Sequence, residues 1–108
     1  MVNIIYHRDL CRVSIEGHAL SGEAGHDLVC ASVSALAYTL AAFVENLHAV
    51  GQVQSRRVEL SEGDALIKCS PPKRYKSSVT LVFDAICGGF ELLARDYPEN
   101  VSYRVSNK

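Results

Sequence analysis

A long stretch without charged residues, residues 28–44, constrains the fold of this chain more than any other feature. Along this stretch and the turn after it, apolar side chains recur every three or four positions, the spacing of one face of an α-helix. They are Val29, Val33, Leu36, Leu40, Phe43 and Leu47. We predict a helix from Asp27 to about His48, ended by Gly51. Because alanines occupy its other faces, it must be buried against a sheet and against either a second helix or another subunit.

Shorter segments on both sides of this helix have the composition and alternation of β-strands. The predicted strands are residues 2–7, 11–18, 52–60, 65–70 and 101–106. The first two form a hairpin, and residues 61–64 form a turn. With two helices, the order is ββαββαβ. It predicts one domain over residues 1–108, of the α+β class, with a mainly antiparallel sheet packed with two helices.

The second helix is predicted to start at a cap, Ser77 or Ser78, and to run to about residue 96, since Pro98 prevents its continuation. The segment before it, residues 71–76, is rich in proline and basic residues and is predicted to be a rigid loop. The pair Gly88-Gly89 lies inside the helix at a cost of about 1 kcal/mol per glycine relative to alanine. This pair indicates close packing or a bend.

Composition narrows the classes of function. With 11 Lys and Arg against 12 Asp and Glu, the net charge of −1 gives no general attraction to nucleic acid. We expect no membrane partner, because no run of membrane length lacks polar interruption, and residues 1–7 lack a signal-peptide layout. The four cysteines form no Cys-x-x-Cys pair. We therefore expect no metal and no cofactor, and a cytoplasmic protein with reduced thiols.

The start of the long helix carries the residues that favour chemistry. Cys30 falls in its first turn, where unpaired N–H groups and partial positive charge favour a thiolate. His18 ends the second strand, and an imidazole there can act as the base for a thiol nucleophile. We interpret Cys30 as the candidate nucleophile and His18 as its base, with Gly17, directly before His18, as a supporting residue. The loop of residues 20–26 contains Gly22 and Gly25 and is a candidate cover over a bound substrate.

Three further residues near Cys30 have candidate roles in the site. Asp27 is best placed as the helix N-cap, and its alternative role is to orient His18. Ser34 lies one turn beyond Cys30 and either hydrogen-bonds near the thiol or makes a tight helix contact. His26 is a second candidate for the base. A metal site from His18, His26 and Cys30 fits no common ligand spacing.

The run from Gly17 to Leu36 resembles a known family. It combines Gly-His-Ala, a glycine-containing loop and Asp-Leu-Val-Cys-Ala-Ser-Val-Ser-Ala-Leu, and is similar to the Prp family of ribosomal-processing cysteine proteases. The resemblance implies that Cys30 is the nucleophile and His18 the base, with Asp27 among the characteristic residues. It also implies a homodimer. The implied substrate is the N-terminal extension of a large-subunit ribosomal protein, number twenty-seven.

A different class of function is open from the residues alone. Free cysteine is a common core residue, and that interpretation applies to Cys11, Cys69 and Cys87 as core or incidental surface positions. Applied to Cys30, it gives a dimeric, ribosome-associated module that holds a peptide without cutting it. A thiol redox sensor at Cys30 is a weaker alternative, because no second cysteine lies near it in the sequence to resolve an oxidised thiol.

Overall fold

The computed structural model describes residues 1–17, 26–61 and 63–107, with residues 26 and 27 described by their backbone alone. Its strands are β1 (Val2–His7), β2 (Arg12–Glu16), β3 (Ser55–Ser61), β4 (Asp64–Ser70) and β5 (Val101–Ser106). Its long helices are α1 (His26–Ala49) and α2 (Lys73–Asp96), and one 3-10 turn (Arg8–Leu10) joins β1 to β2. The predicted order, ββαββαβ, and the α+β class are confirmed.

The strands form one five-stranded sheet in the order β3-β4-β2-β1-β5. The pairs β1–β2, β2–β4 and β3–β4 are antiparallel, whereas β5 pairs with β1 in parallel. The parallel edge arises because α2 carries the chain from β4 across the sheet to the far side of β1. The sheet is therefore mainly antiparallel, as predicted, and mixed at one edge.

Both helices cover the same face of the sheet, and the core lies between that face and the helices. In β2, the predicted alternation holds, since Val13 and Ile15 are buried and the residues between them are half-buried. Phe83 of α2 is at the centre of the aromatic packing. Its ring stacks on Tyr6 of β1 at 6.1 Å between centroids and meets Phe43 of α1 edge-on at 6.5 Å.

Helix α1 buries the apolar face that the sequence predicted. Val29 and Leu40 are fully buried, and Val33 is nearly so. The helix ends at Ala49, and Gly51 follows with a φ of +75°, the left-handed backbone that commonly closes a helix. The second side of α1 packs against α2, which is the second helix predicted as its partner.

The start of α1 lies two residues earlier than an N-cap at Asp27 would place it. The helix begins at His26 rather than after Asp27, and the prediction that Asp27 is the N-cap is therefore wrong. An N-cap residue has non-helical backbone angles, whereas Asp27 is already inside the helix. Cys30 is consequently the fifth helical residue instead of the third.

The start of α2 also corrects a prediction. Residues 71–76 do not form a basic loop, and neither Ser77 nor Ser78 caps the helix, because α2 begins at Lys73 with Pro72 as its N-cap. The angles of Pro72, φ −65° and ψ 160°, lead directly into the first turn. A proline there needs no N–H partner and holds the backbone ready for a helix. The basic residues 73–76 therefore form the first turn of α2.

Strands β2 and β3 are shorter than predicted, for backbone reasons. Cys11 has left-handed angles, φ 47° and ψ 54°, so the ladder of β2 begins at Arg12. Gly17, with φ +99°, ends it before the predicted limit. The N–H of Gln52 still donates to the Leu47 carbonyl at 2.9 Å, so the chain turns away from α1 before β3 can begin.

The two adjacent glycines of α2 occupy different environments. A Cβ atom at Gly89 would lie 2.8 Å from both terminal carbons of the Leu36 side chain on α1. A Cβ atom at Gly88 would meet nothing within 4 Å. Gly89 therefore allows the two helices to approach, and the prediction of close packing at this pair is confirmed.

Alanine is expected to have opposite effects at these two positions. Gly88→Ala should raise the free energy of unfolding by up to about 1 kcal/mol, because alanine is the better helix former. Gly89→Ala should lower it by about 1–2 kcal/mol, because the new methyl group displaces Leu36 and this overpacking outweighs the gain in propensity. Urea denaturation of the two variants measures the difference. Equal stabilisation by both substitutions would contradict the tight contact.

Both helices are long and apolar enough to cross a bilayer when length and composition alone are considered. The segments are Leu28–Ala49 and Lys73–Asp96. Both contain polar residues, such as Ser34 and Glu45 in the first and Asp84 in the second, in agreement with the expectation that no run of membrane length lacks polar interruption. In the fold, the buried side chains of both helices pack against the sheet, as those of core helices do.

Candidate active site

An open cleft lies between α1 and the adjoining ends of β2, β3 and β4. Its volume is about 430 Å³, within the usual range for ligand sites. The helix forms one wall, and the strand ends with the β3–β4 turn form the other. The lining residues are Val2, Ile15, Gly17, Cys30, Val33, Ser34, Ala37, Tyr38, Leu60, Ser61, Gly63, Asp64 and Ala65.

The helical wall presents residues at a spacing of four. Cys30, Ser34 and Tyr38 follow one another by one turn, so that all three side chains lie along the same cleft. The structure thus brings the predicted Cys30 and Ser34 together. Tyr38, which is 61% exposed, was missed by the sequence analysis, although it continues the same series and could have been found by that signal.

Cys30 differs from the other three cysteines in its exposure. Cys11, Cys69 and Cys87 are at most 1% exposed, whereas Cys30 is half-buried and lines the cleft. The core interpretation of the other three is therefore confirmed. Burial raises the pKa of the Cys87 thiol to about 12, which keeps it protonated and unreactive. Only the thiol of Cys30 faces a space that could hold a peptide.

Two glycines build the opposite wall. Gly17 and Gly63 both have a positive φ, +99° and +77°, and the Gly17 N–H donates to the Gly63 carbonyl at 2.9 Å. A Cβ atom on Gly17 would lie 2.2 Å from the carbonyl oxygen of Met1. Only glycine at position 17 therefore lets the backbone come so close to Met1. Gly17 was predicted as a supporting residue, and the structure gives that role a physical cause.

The other residues of this wall were not predicted. Leu60 and Ser61 end β3 and Asp64 begins β4, more than two dozen positions beyond Cys30 in the sequence. They reach the cleft because β4 pairs with β2, which places Asp64 opposite Glu16 and next to Gly17. No local motif marks them, since their position depends on long-range strand pairing.

Several predicted site residues lie outside the described part of the chain. They are His18, Gly22, Gly25 and the side chains of His26 and Asp27. The roles of base, substrate cover and orienting carboxylate consequently stay predictions. Among residues 1–17, 26–61 and 63–107, no group of three His, Cys, Asp and Glu side chains is arranged to hold a metal ion.

The thiol of Cys30 is half-buried, lies near the start of a helix and faces an open cleft. A model of the family described as cysteine protease Prp matches residues 1–102. The chain belongs to the cysteine protease Prp family. The match includes both walls of the cleft, and it confirms the resemblance seen in residues 17–36. Membership makes this Prp protein a cysteine protease.

Solved structures share the fold of this Prp protein. SMU.848 from Streptococcus mutans is 30% identical, with a TM-score of 0.66 over 97% of this chain and 91% of that chain. Two structures of an essential ribosomal processing protease, Prp from S. aureus, one with a covalently linked product peptide and one with a substrate peptide, are 22% and 20% identical. Their TM-scores are 0.67 and 0.69, over 97% of both chains. No protein with curated function matches the sequence significantly.

Proposed function

We propose that this Prp family member is an endopeptidase that removes the N-terminal extension of large-subunit ribosomal protein number twenty-seven, with Cys30 as nucleophile and His18 as base. The observation that carries the proposal is the half-exposed thiol of Cys30 in the wall of an open cleft. The S. aureus proteins of the same fold are called ribosomal processing proteases and were solved with peptides, which supports a ribosomal substrate.

In the first step, the Cys30 sulfur attacks the carbonyl carbon of the scissile peptide bond, and a negative charge develops on the carbonyl oxygen. Hydrogen-bond donors stabilise that charge when they are fixed in place beforehand. Because α1 begins at His26, the N–H of Cys30 is directed to the carbonyl of residue 26. The proposed donors are the N–H groups of the first turn of α1, toward which the Cys30 side chain leans.

In the second step, a protonated base delivers a proton to the leaving amine, and water then hydrolyses the thioester. His18 is the proposed base. It follows Gly17 directly in the sequence. Gly17 is in the cleft wall that faces α1, which supports His18 as the base.

The composition of the cleft supports an apolar peptide segment as substrate. Its inner surface is formed by Val2, Ile15, Val33 and Ala37, which suits aliphatic or aromatic side chains. The exposed ring of Tyr38 lies at the helical wall, where it can stack on an aromatic residue of the substrate. The segment that the family resemblance implies as substrate is aromatic-rich.

The proposal includes a homodimer that acts in the cytoplasm. Exposed leucines on the outer faces of both helices support self-association: Leu28 of α1, and Leu81 and Leu92 of α2, are at least half exposed. Side chains of this size on a small domain are suited to burial by a second copy.

Incubation with the host's own ribosomal protein precursor tests the proposal. We expect one cut that releases the N-terminal segment, identified by intact mass and by the sequence of the new N-terminus. The same ribosomal protein lacking the extension is the matched control and should stay intact. Precursor that binds without being cut would favour the peptide-holding module, and cuts at many positions would contradict a processing role.

A further inference from the structure

A second group of thiols lies at the end of the sheet far from Cys30. The N–H of Cys69 donates to the Cys11 carbonyl at 3.2 Å, just beyond the last pair of the β2–β4 ladder, Arg12 and Lys68. Cys11 itself precedes β2 with left-handed angles. Both side chains are buried, and the two thiols hydrogen-bond to each other. A disulfide spans Cα atoms about 4.4–6.8 Å apart, a separation that is typical of residues joined by a backbone hydrogen bond between strands.

Two polar groups of α2 contact the sulfur of Cys11. Lys76 Nζ donates to Cys11 Sγ at 3.5 Å and to the carbonyl of Asp9 at 2.6 Å. The hydroxyl of Thr80 lies 3.8 Å from the same sulfur. The hydrogen bond from the Cys69 thiol, with the contacts to Thr80 and Lys76, lowers the pKa of Cys11 to about 6, and the pKa of Cys69 is raised. Of the two thiols, Cys11 is therefore the one that loses its proton more readily.

A second cleft lies close to this pair. Its volume is about 330 Å³, and it is lined by Lys76 and Thr80 together with Ser77, Arg8 and Asp84. Since Lys76 and Thr80 also contact Cys11, its sulfur lies directly beneath the floor of this cleft. Lys76 and Thr80 therefore separate this buried sulfur from the cleft.

We propose that Cys11 and Cys69 form a dithiol that a hydroperoxide oxidises to a disulfide, separately from the protease site. The Cys11 thiolate attacks one peroxide oxygen, the O–O bond breaks, and the other oxygen leaves as alcohol or water after taking up a proton. Cys11 is then a sulfenic acid. The Cys69 sulfur attacks the Cys11 sulfur, the S–S bond forms, and the hydroxyl leaves as water with the Cys69 proton. Two thiols are oxidised, and the peroxide is reduced.

The position of the dithiol links it to the rest of the sheet. Strand β2 runs from Cys11 toward Gly17, and β4 runs from Asp64 toward Cys69. The two strands that the disulfide would join therefore carry residues of the Cys30 cleft at their other ends. The bridge fixes these strands to each other and leaves Cys30 itself unmodified.

Peptide mapping of the full chain tests the proposal. The reduced protein is first alkylated at Cys30 in its native state, then treated with limiting hydrogen peroxide, unfolded, and alkylated with a second reagent. We expect a loss of two hydrogens from the intact mass and a crosslinked peptide pair containing Cys11 and Cys69. Cys87, a buried thiol without this environment, should carry the second reagent. In Cys69→Ser, Cys11 should instead be trapped as sulfenic acid by dimedone.

Lysine variants test the role of the ammonium group. At pH 5, below the pKa of about 6 of Cys11, Lys76→Met should slow formation of the crosslink about tenfold, because below its pKa a thiol loses about tenfold in thiolate for each unit by which the pKa rises. Lys73→Met, at an exposed position of the same helical turn, is the matched control and should leave the rate unchanged. The proposal is overturned if Cys11 and Cys69 both carry the second reagent at every peroxide dose. It is also overturned if the oxidised protein gains oxygen without a crosslink between them.

Discussion

Cys30→Ala is expected to abolish peptide cleavage, with kcat/KM reduced on the order of 10³-fold or more. The reason is that no other described thiol can replace it, since Cys11, Cys69 and Cys87 are buried in the core. Alanine removes the nucleophile and leaves the helix and the cleft in place, so that binding of the substrate peptide should persist. Cleavage is measured by the release of the N-terminal segment, and binding by the anisotropy of a labelled peptide.

Three variants separate chemistry from packing in this experiment. Cys30→Ser keeps the shape of the side chain but supplies a hydroxyl, which is a much weaker nucleophile, so it should be nearly as inactive as alanine. Ser34→Ala, one turn further along the same cleft wall, should lower the rate less than tenfold, as expected for a supporting position. Cys87→Ser removes a buried thiol and should retain activity wherever it folds. Full cleavage by Cys30→Ala would end the assignment of the nucleophile.

Gly17→Ala is expected to produce the largest loss of stability, about 2–4 kcal/mol. Two costs add at this position. The backbone has a φ of +99°, which disfavours alanine, and the new methyl carbon would lie 2.2 Å from the carbonyl oxygen of Met1. That oxygen cannot move away freely, because the next residue, Val2, is buried and its N–H donates to Asn100 at 2.8 Å.

Gly51→Ala is the matched control for this prediction. Gly51 also has a positive φ, +75°, but a Cβ there meets no atom within 4 Å. Gly51→Ala should therefore lower the free energy of unfolding only by the cost of the backbone conformation, about 1–2 kcal/mol. Urea unfolding of both variants gives the difference, which reports the steric overlap at Gly17 alone. Equal losses of stability in the two variants would show that Met1 moves away from the new methyl group at no cost in free energy.

Periodicity and local motifs predicted the order of the elements and the candidate nucleophile. The uncharged run of residues 28–44 specifies a buried helix, because no other structure hides so many apolar side chains at a helical spacing. The placement of Cys30 near the helix start follows from the same pattern, and so does its shared face with Ser34. These inferences depend on neighbours within two turns, which is the range over which a sequence pattern carries structural information.

The helix starts could not be determined in the same way. Asp27 has the chemistry of an N-cap, yet α1 begins one residue earlier, and Pro72 displaces both Ser77 and Ser78 as the start of α2. In each segment more than one residue can begin a helix. The capping free energies of these residues differ by about 1 kcal/mol, which is less than the packing energies that decide between the possible starts.

The second wall of the cleft and the contact between Cys11 and Cys69 were decided by tertiary structure alone. Asp64 lies beside the cleft because β4 pairs with β2, and the same pairing brings Cys69 next to Cys11 at the far end. Such contacts join residues dozens of positions apart, and no local periodicity specifies the register between two strands. The sequence by itself therefore determined which thiol is chemically placed to react. The sheet decided what surrounds that thiol and which two other thiols meet.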